Sequence, residues 1–403
     1  MVHKHQCGVC CKENVERMIA FEDQVVCHHF LKSSGEKEEL YRLAFGQCQA
    51  CGTLQLVERI PIEALTPRYN WLKCNEPEDH LDKTVELLSR LPGITKDSKI
   101  GGISFKDDTT LLRLNKLGFK NTWRADLFKE LGATDPLAWF ESVQANFNEG
   151  SAERLLKNHG KADIFIARHI IEHSYDLHGF ISLCKKMVKP SGHLFFEIPD
   201  CERALANFDY TTLWEEHLTY FTGTTFRYCL EANGLSLVHF ERIPYSIEDS
   251  YVGIVRIAER PVSKTLEARD LNKELLLGKN FADNFPAKKA RIQDFFVKCR
   301  QQGKNVALFG GGHMSSVFLN VFDLGNKIDF VVDDNPNMRG MFMPGSRLPV
   351  MESKEIYDQN IDVCLLTLSA SSEDKVVKNH QKFIEKGGKF VSIFPGSKWA
   401  MET

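Results

Sequence analysis

Long apolar stretches and a strong charge of either sign are missing from this chain of 403 residues. No uninterrupted apolar run approaches the length of a membrane-spanning helix, and the start MVHKHQCGVC has no apolar core of a signal peptide. Lysine and arginine number 51 against 54 aspartate and glutamate, a formal net charge of -3. Without a basic run, the electrostatic footprint of a nucleic-acid or anionic-membrane binder is missing. We therefore expect a cytoplasmic protein with neither kind of partner.

The length and the cysteine content indicate the number of domains and the chemical state of the cysteines. The chain is too long for one ordinary core, so two or three domains are expected. Its composition, 43% hydrophobic and 26% charged, is ordinary for a globular enzyme. Twelve cysteines without an export signal are expected to remain thiols or to bind metal rather than to form disulfides.

Two pairs of cysteines near the N-terminus have the C-x-x-C spacing of zinc knuckles, in HQCGVCCK and FGQCQACGT. Each tight turn lets two thiolates point at one metal ion, and two turns complete a tetrahedron. A redox C-x-x-C normally stands alone at a strand-to-helix junction. The pattern predicts a zinc-ribbon-like domain over residues 1–68 with Cys7, Cys10, Cys48 and Cys51 as ligands and with Cys11, Cys27, His28 and His29 as bystanders. Four thiolates leave no open position, so the zinc is structural and the chemistry lies elsewhere.

Strand and helix patterns alternate over residues 69–260. Strands are predicted at SKIGGISF, KNTWRADL, ADIFIARHI and HLFFEIPD, with helices between them. This alternation predicts a parallel sheet wound on both faces, with ligands at the carboxyl ends of the strands. An acidic residue after the second strand is the group that binds ribose hydroxyls of a nucleotide-like cofactor. The cofactor-binding candidates at these strand ends are Gly101, Gly102, Asp107, Asp108, Asp126, Arg168 and His169, although a glycine pair and one aspartate also occur in many ordinary loops.

The segment DYTTLWEEHLTYFTGTTF concentrates aromatic, acidic and histidine side chains in a few residues. A histidine can take up a proton near neutral pH, a neighbouring carboxylate can orient it, and aromatic rings can form a pocket wall. The alternative is a half-buried helix in which His217 is a satisfied core histidine.

These residues resemble the sugar C-methyltransferases that act on nucleotide-linked 4-ketohexoses, and the resemblance covers nearly the whole chain. The family motif reads roughly Tyr-His-Glu-His-Leu-Ser-Tyr-Phe, where this chain has WEEHLTYF over residues 214–221. The resemblance implies that His217 removes a proton from the carbon beside the ketone and that Glu216 positions it. The chain departs from the motif at Trp214 and Glu215. The resemblance also implies substrate contacts by a set of aromatic and histidine residues: Tyr69, Trp71, His80, His173, Trp214 and Tyr220.

The family also carries S-adenosylmethionine in its central domain, on a loop that reads Glu-x-Gly-x-Asn-x-Gly. This chain has GGISFKDDT over residues 101–109, without the leading carboxylate and the later glycines. Glycines let a backbone approach a ligand closely, so their loss either reshapes or abolishes the cofactor site.

Residues 261–403 begin with a long charged helical stretch to about Arg300, and GKNVALFGGGHMSS then restarts a strand, a glycine loop and a helix. Such a helix N-terminus holds phosphate or pyrophosphate through backbone amides. A nicotinamide coenzyme would also use this arrangement, but G-G-G-H lacks the G-x-G-x-x-G spacing. The run FVVDDNPNMRGMFMPGSRLPV resembles the family's C-terminal domain, which helps to hold the nucleotide-sugar. The substrate-side candidates here are Gly310, Gly311, Gly312, Asn335 and Arg347.

The sequence thus predicts an α/β protein with a zinc-ribbon-like domain, a central class I methyltransferase domain of Rossmann type and a second, C-terminal Rossmann-like domain. The expected activity is S-adenosylmethionine-dependent C-methylation of a nucleotide-linked 4-keto-6-deoxy sugar, at C-3, in deoxysugar biosynthesis, by a monomer or homodimer. One alternative is a nicotinamide-dependent nucleotide-sugar oxidoreductase that does not bind the methyl donor. The other is a non-catalytic nucleotide-sugar-binding protein with an eroded cofactor site. The loop at Gly101 is the sequence feature that distinguishes these three functional hypotheses.

Overall fold

Three β-sheets organise the chain in the computed structural model, which describes residues 5–72, 76–259 and 265–401. The first sheet is antiparallel and has the order β1-β2-β3-β4-β9. The fifth strand enters this sheet from far downstream in the chain. The strands are β1 (His5–Gln6), β2 (Glu13–Gln24), β3 (Tyr41–Cys48), β4 (Leu54–Leu56) and β9 (Thr219–Tyr220).

The second sheet has six strands in the order β10-β11-β8-β7-β5-β6. Strands β6, β5, β7 and β8 run parallel, and β11 and β10 close the sheet by antiparallel pairing. The elements are α1 (Leu81–Ser89), β5 (Lys99–Gly102), α2 (Asp108–Lys116), β6 (Asn121–Arg124), α3 (Phe140–Asn146), α4 (Glu149–His159), β7 (Ala162–Arg168), α5 (Leu177–Met187), β8 (Val188–Asp200), α6 (Glu202–Ala206), α7 (Gly223–Ala232), β10 (Leu235–Ile243) and β11 (Asp249–Ile257). The predicted strands are present, and α3 and α4 are additions that the sequence patterns did not indicate.

The third sheet is parallel throughout, with the order β14-β13-β12-β15-β16. The prediction of a second Rossmann-like unit is therefore confirmed, and the fold class is α/β. Its elements are α8 (Ala268–Gln301), β12 (Val306–Phe309), α9 (His313–Val321), β13 (Phe330–Val332), β14 (Val350–Met351), α10 (Glu355–Asp358), β15 (Val363–Leu366), α11 (Ala370–Asn379), α12 (Gln381–Glu385) and β16 (Lys389–Ser392).

One hydrophobic core joins the first and the third sheet. It includes Phe45 of β3, Leu308 of β12, Tyr210, and Phe281 of α8. The Tyr210 and Phe281 rings stack with centroids 4.3 Å apart, and the Tyr210 hydroxyl donates to the Phe281 carbonyl at 2.6 Å. The predicted domain boundary at residues 260–261 lies outside the described residues. Within the described ranges no helix is both long and apolar enough to cross a bilayer.

Candidate functional site

A cavity of about 500 Å³ opens at the carboxyl ends of β7 and β8. It therefore lies where ligands are expected in a parallel sheet wound on both faces. Its wall joins three parts of the chain: the turn after β7, the segment before β9 and the start of α9. The polar and aromatic side chains in this wall include His169, Glu172, His173, Trp214, His217, Glu248 and His313.

His173 is held by a carboxylate that sequence patterns did not single out. Its Nδ1 lies 3.0 Å from Oε1 of Glu141 in α3, and both side chains are buried. Burial by itself lowers the pKa of His173, but the hydrogen bond and the charges of Glu141 and Glu172 outweigh it and raise the pKa. His173 therefore has a fixed orientation and a tendency to carry a proton.

His217 stands next to His173, with ring centroids 4.7 Å apart at an interplanar angle of 86°. Burial, followed by repulsion from His173 and His313, holds the pKa of His217 well below its usual range. Neighbouring groups whose pKa values are displaced in opposite directions are suited to separate acid and base roles. The neutral imidazole of His217 is thus available as a proton acceptor.

Trp214 divides the central cavity from a second cavity of about 310 Å³ on the side of the C-terminal sheet. Its ring stacks on His313, the first residue of α9, with centroids 4.2 Å apart. The second cavity is lined by Trp71, Trp139 and Trp214 together with Gly311, Gly312 and Asn335. The predicted residues Trp71, Gly311, Gly312 and Asn335 therefore lie together at one surface.

The two glutamates before His217 bind the zinc-ribbon-like domain. The backbone amide of Cys27 donates to Glu215 Oε1 at 2.5 Å, and His28 Nδ1 lies 2.8 Å from Glu216 Oε1. Glu216 was expected to position His217; one of its carboxylate oxygens lies against His28, and a direct role toward His217 stays a prediction. Sequence reasoning set His28 aside as a bystander, since nothing local showed that it faces residue 216.

Tyr220 also has a structural role in place of the predicted substrate contact. Its hydroxyl accepts a hydrogen bond from the Trp214 amide at 2.8 Å and donates one to the Trp214 carbonyl at 2.7 Å. The side chain is only 4% exposed and packs on Phe45 of β3. Tyr220 therefore closes the loop that carries His217.

We expect Tyr220→Phe to lower the free energy of unfolding by about 1–3 kcal/mol, because it leaves the buried amide and carbonyl of Trp214 without their partner. Thermal unfolding measures the effect. The matched control is Tyr41→Phe, which removes a surface hydroxyl whose partner is the exposed Glu39. Equal melting temperatures for the two variants would contradict the role of Tyr220.

Other residues predicted to contact the substrate form hydrogen bonds or ion pairs within the protein. The Tyr69 hydroxyl donates to the Phe30 carbonyl at 2.9 Å. His80 is buried between Glu197, at 3.0 Å, and Tyr245. Arg347 binds the Ser34 carbonyl and Glu38 of the first domain, so it ties two domains together away from the two cavities.

Gly310 is needed for backbone geometry. Its φ is +105°, and a Cβ at this position would lie 2.9 Å from Thr367 Oγ1. Only glycine adopts this conformation at low cost in such a confined place. Gly310 therefore lets β12 turn into α9 and does not line either cavity.

The first loop of the parallel sheet is ordered by a buried carboxylate directly before α2. Asp107 Oδ2 accepts hydrogen bonds from the amides of Ile103 at 2.8 Å and Ser104 at 2.9 Å, and Oδ1 accepts one from Arg168 at 3.0 Å. A Cβ on Gly102 would lie 2.7 Å from the Asp107 Cβ, so the glycine provides the space that Asp107 fills. Burial raises the pKa of Asp107 to about 7.

An adenosyl cofactor at the edge of the sheet is compatible with this loop. The predicted cofactor-contact residues, however, do not all point to such a cofactor. Asp126 follows β6 near the surface, and its Oδ1 orders the next turn by accepting from the amides of Phe128 and Lys129. It stands at the position that binds ribose in this class of sheet. Gly102 and the loop it begins are shaped by Asp107, which is itself fully buried.

Four candidates for cofactor contact have other contacts in the structure. Arg168 is 1% exposed and pairs with Glu197 at 2.6 Å, and Asp108 pairs with Arg124 at 2.6 Å. His169 lines the central cavity, 3.3 Å from Glu197. Gly101 lies against the Trp123 ring. Cofactor contact by these residues stays a prediction, and the side chains of Arg168 and Asp108 are already paired with opposite charges.

Gly102→Ala is expected to displace Asp107 and lower the free energy of unfolding by about 1–3 kcal/mol, because the added methyl group overlaps its side chain. Chemical denaturation measures the change. Gly396→Ala is the control, since its Cβ would meet nothing within 4 Å. If both variants are equally stable, Asp107 does not occupy this position.

The four predicted zinc ligands meet at one point. The sulfur atoms of Cys7 and Cys51 lie 3.6 Å apart and those of Cys10 and Cys48 3.5 Å apart. Tetrahedral zinc with Zn–S bonds of about 2.3 Å separates its ligand atoms by about 3.8 Å, so the tetrad fits this ion. Backbone amides of Val9 and Cys10 point at the Cys7 sulfur, both at 3.4 Å, as in a closed knuckle.

Cys51→Ser is expected to remove the bound zinc and to lower both the melting temperature and the activity, because structural zinc contributes directly to folding. Metal content per chain and thermal unfolding measure the change. Cys11→Ser, at an exposed neighbouring cysteine outside the tetrad, should retain one zinc and the wild-type melting temperature. Retention of the zinc by Cys51→Ser would contradict the ligand assignment.

Several site residues were missed by the sequence analysis. Glu141 lies on a helix that the patterns did not indicate, and Glu248 and His313 follow or begin elements without a recognisable motif. Burial raises the pKa of Glu248 to about 8 and lowers that of His313 to about 4. The histidine directly after three glycines was the one available signal for His313.

Two family models match consecutive parts of the chain. Residues 102–240 match a methyltransferase domain, and residues 262–395 match a C-methyltransferase C-terminal domain. The second match covers most of the third sheet with its helices. The order of the two matches agrees with the predicted arrangement of the central and C-terminal regions.

Three known proteins are similar to the chain over different shares of its length. The C-methyltransferase NovU from Streptomyces niveus is 23% identical over 408 residues, which cover 97% of this chain and 95% of NovU. A solved 1,6-didemethyltoxoflavin-N1-methyltransferase from Burkholderia thailandensis is 11% identical with a TM-score of 0.31, covering 45% of this chain and 80% of its own. The PH0226 protein from Pyrococcus horikoshii OT3 is 12% identical with a TM-score of 0.31, covering 47% and 94%.

Proposed function

The chain belongs to the C-methyltransferase family, and we propose that it transfers a methyl group from S-adenosylmethionine to C-3 of a nucleotide-linked 4-keto-6-deoxy sugar. The observation that carries the proposal is the pair of adjacent histidines with opposite pKa displacements in the wall of the central cavity. Carbon methylation beside a ketone needs a base for the C–H proton and a donor for the ketone oxygen. His217 and His173 supply these two groups.

His217 is the base in this proposal. Its neutral imidazole takes the proton from the carbon beside the ketone: the C–H bond breaks, an N–H bond forms and the electron pair moves to the ketone oxygen. The loop closed by Tyr220 and the contacts of Glu215 and Glu216 with the first domain hold the imidazole at the cavity.

His173 stabilises the negative charge that develops on the ketone oxygen. Glu141 fixes its Nδ1, which leaves Nε2 as the atom that can donate to a ligand. A donor that is already oriented loses little free energy to reorganisation when the charge appears. Glu141 thus supports the proton on His173 at the pH where His217 stays neutral.

The second cavity is suited to the nucleotide. Helix α9 has nine residues, and its N-terminus at Gly312 and His313 faces this cavity. Backbone amides and the helix dipole at such an end favour phosphate groups. Trp71 and Trp139 offer aromatic faces for a base. Trp214, which lines both cavities, lies where a sugar and its phosphates would join.

Asp126 and the loop shaped by Gly102 and Asp107 hold the cofactor in this proposal. When bound, S-adenosylmethionine supplies an electrophilic methyl group to a carbon nucleophile. The four cysteines hold a structural zinc ion, which stabilises the domain that binds Glu215 and Glu216. Neither zinc nor its ligands line the central cavity.

Calorimetric titration with S-adenosylmethionine and its demethylated product tests the cofactor assignment, with NAD and NADP in parallel. Binding of the adenosyl compounds alone is expected. A response to the nicotinamide coenzymes alone would favour an oxidoreductase, and binding of a nucleotide-sugar alone would favour a non-catalytic protein. Either of these results would overturn the methyltransferase proposal.

His217→Ala is expected to slow exchange of the sugar C-3 proton with deuterated water at least about hundredfold, because general-base catalysis contributes that much or more. Proton NMR of a nucleotide-linked 4-keto-6-deoxy sugar in D2O measures this step without the methyl donor. His239→Ala, at a partly exposed histidine of β10 paired with Glu241, is the control and should exchange at the wild-type rate. Wild-type exchange in His217→Ala would exclude His217 as the base.

A further inference from the structure

Glu172 is a buried carboxylate without a hydrogen-bond partner. The side chain is 1% exposed, and among the described residues neither of its oxygens has a hydrogen-bond partner. Its nearest cationic group is His169 Nδ1, at 3.8 Å from Oε1. Burying a charged group without a partner costs several kcal/mol, roughly, so such a group is normally paired or bound to a cation.

Two histidines face the same point as Glu172. Single ligand atoms of Glu172, His173 and His217 all lie within 4.8 Å of one another. Ligand atoms that bind one zinc ion tetrahedrally at about 2.1 Å lie about 3.4 Å from each other, so a closure of up to about 1.4 Å is needed. The Leu218 amide donates to the Glu172 carbonyl at 2.8 Å, which connects the backbones that carry Glu172 and His217.

The surroundings of His173 add a second feature of metal sites. Glu141 Oε1 lies 3.0 Å from His173 Nδ1, which leaves Nε2 as the ring nitrogen available to an ion. Histidine ligands of metals usually have such a carboxylate partner, which fixes the ring and raises its basicity. Glu216 also lies near His173 but is already paired with His28.

We propose that Glu172, His173 and His217 form a second metal site, which binds a divalent transition-metal ion at the wall of the central cavity. Two histidines and one carboxylate are a ligand set of zinc and of ferrous iron, with coordination positions left open. The open positions face a cavity of about 500 Å³. The cysteine tetrad, in contrast, is a closed site.

Occupation of this site regulates the reaction, a consequence that rests on the proposed function. An ion at this point takes the imidazole electron pair that His217 needs to accept a proton. The metal-bound form is therefore inactive in proton exchange, and a chelator too weak to empty the cysteine tetrad restores it. The metal-free site is the catalytic one.

Cobalt titration of the zinc-free protein, in which the tetrad binds cobalt first, tests the site independently of activity. The first equivalent is expected to give the strong sulfur-to-cobalt charge-transfer absorption of the tetrad, and the second only weak ligand-field bands of nitrogen and oxygen ligands. Glu172→Gln should bind the second equivalent at least tenfold more weakly, and Glu153→Gln, at an exposed glutamate of α4, should bind it as the wild type does. Retention of the first equivalent shows that each variant is folded. His173→Gln, at another proposed ligand, is a second test of the metal site.

A second equivalent that fails to bind the wild type, or that binds Glu172→Gln equally well, overturns the metal site. Proton exchange separates this proposal from the preceding one. If the second ion binds, but the protein without that second ion shows no proton exchange, the metal site is supported and enolisation by His217 is not. If exchange occurs and the second equivalent leaves its rate unchanged, the regulatory role is excluded.

Discussion

The pairing of β9 with β4 is the constraint on which the site depends. Tyr220 and Thr219 lie opposite Leu54 and Gln55, and the Leu56 amide donates to the Leu218 carbonyl at 3.0 Å. Strand pairing fixes a backbone in register, so residue 217 is presented to the cavity from a defined direction. The knuckle that contains Cys51 ends directly before β4. Metal binding, strand pairing and the orientation of His217 are therefore mechanically connected.

This connection changes the role of the zinc-ribbon-like domain. The sequence predicted a zinc-ribbon-like domain over residues 1–68, but its sheet takes a strand from the central region and its residues Cys27 and His28 bind Glu215 and Glu216. Carboxylates buried beside one another repel, and burial followed by the charge of Glu141 raises the pKa of Glu216 well above its usual range. His28 offers Glu216 a hydrogen bond in this environment. The domain thus stabilises polar groups that the 214–221 segment could not bury alone.

Periodicity and spacing predicted the parts of the fold that local sequence determines. The buried run of β7 and the two cysteine knuckles needed no long-range information. Side-chain roles within the 214–221 segment could not be predicted in the same way, because strand pairing decides which side chains face the cavity. Glu216 and Arg347 each bind a residue far away in sequence, and the Tyr220 ring packs on the distant Phe45. Glu141 carried no local signal, since its function arises only when α3 packs beside the turn after β7.

The loop between β5 and α2 lacks the family motif, but its backbone amides have a carboxylate partner. A carboxylate can take this place only if it reaches those amides and if the strand leaves room for it. Asp107 meets the first condition through Ile103 and Ser104, and Gly102 meets the second. Either residue alone is unfavourable. With Gly102 but without Asp107, the amides of Ile103 and Ser104 have no partner, and with Asp107 but without Gly102, the side chain of Asp107 is overpacked. The two residues therefore form one structural unit, and the absence of the family motif at Gly101 is not in itself a sign of a collapsed loop.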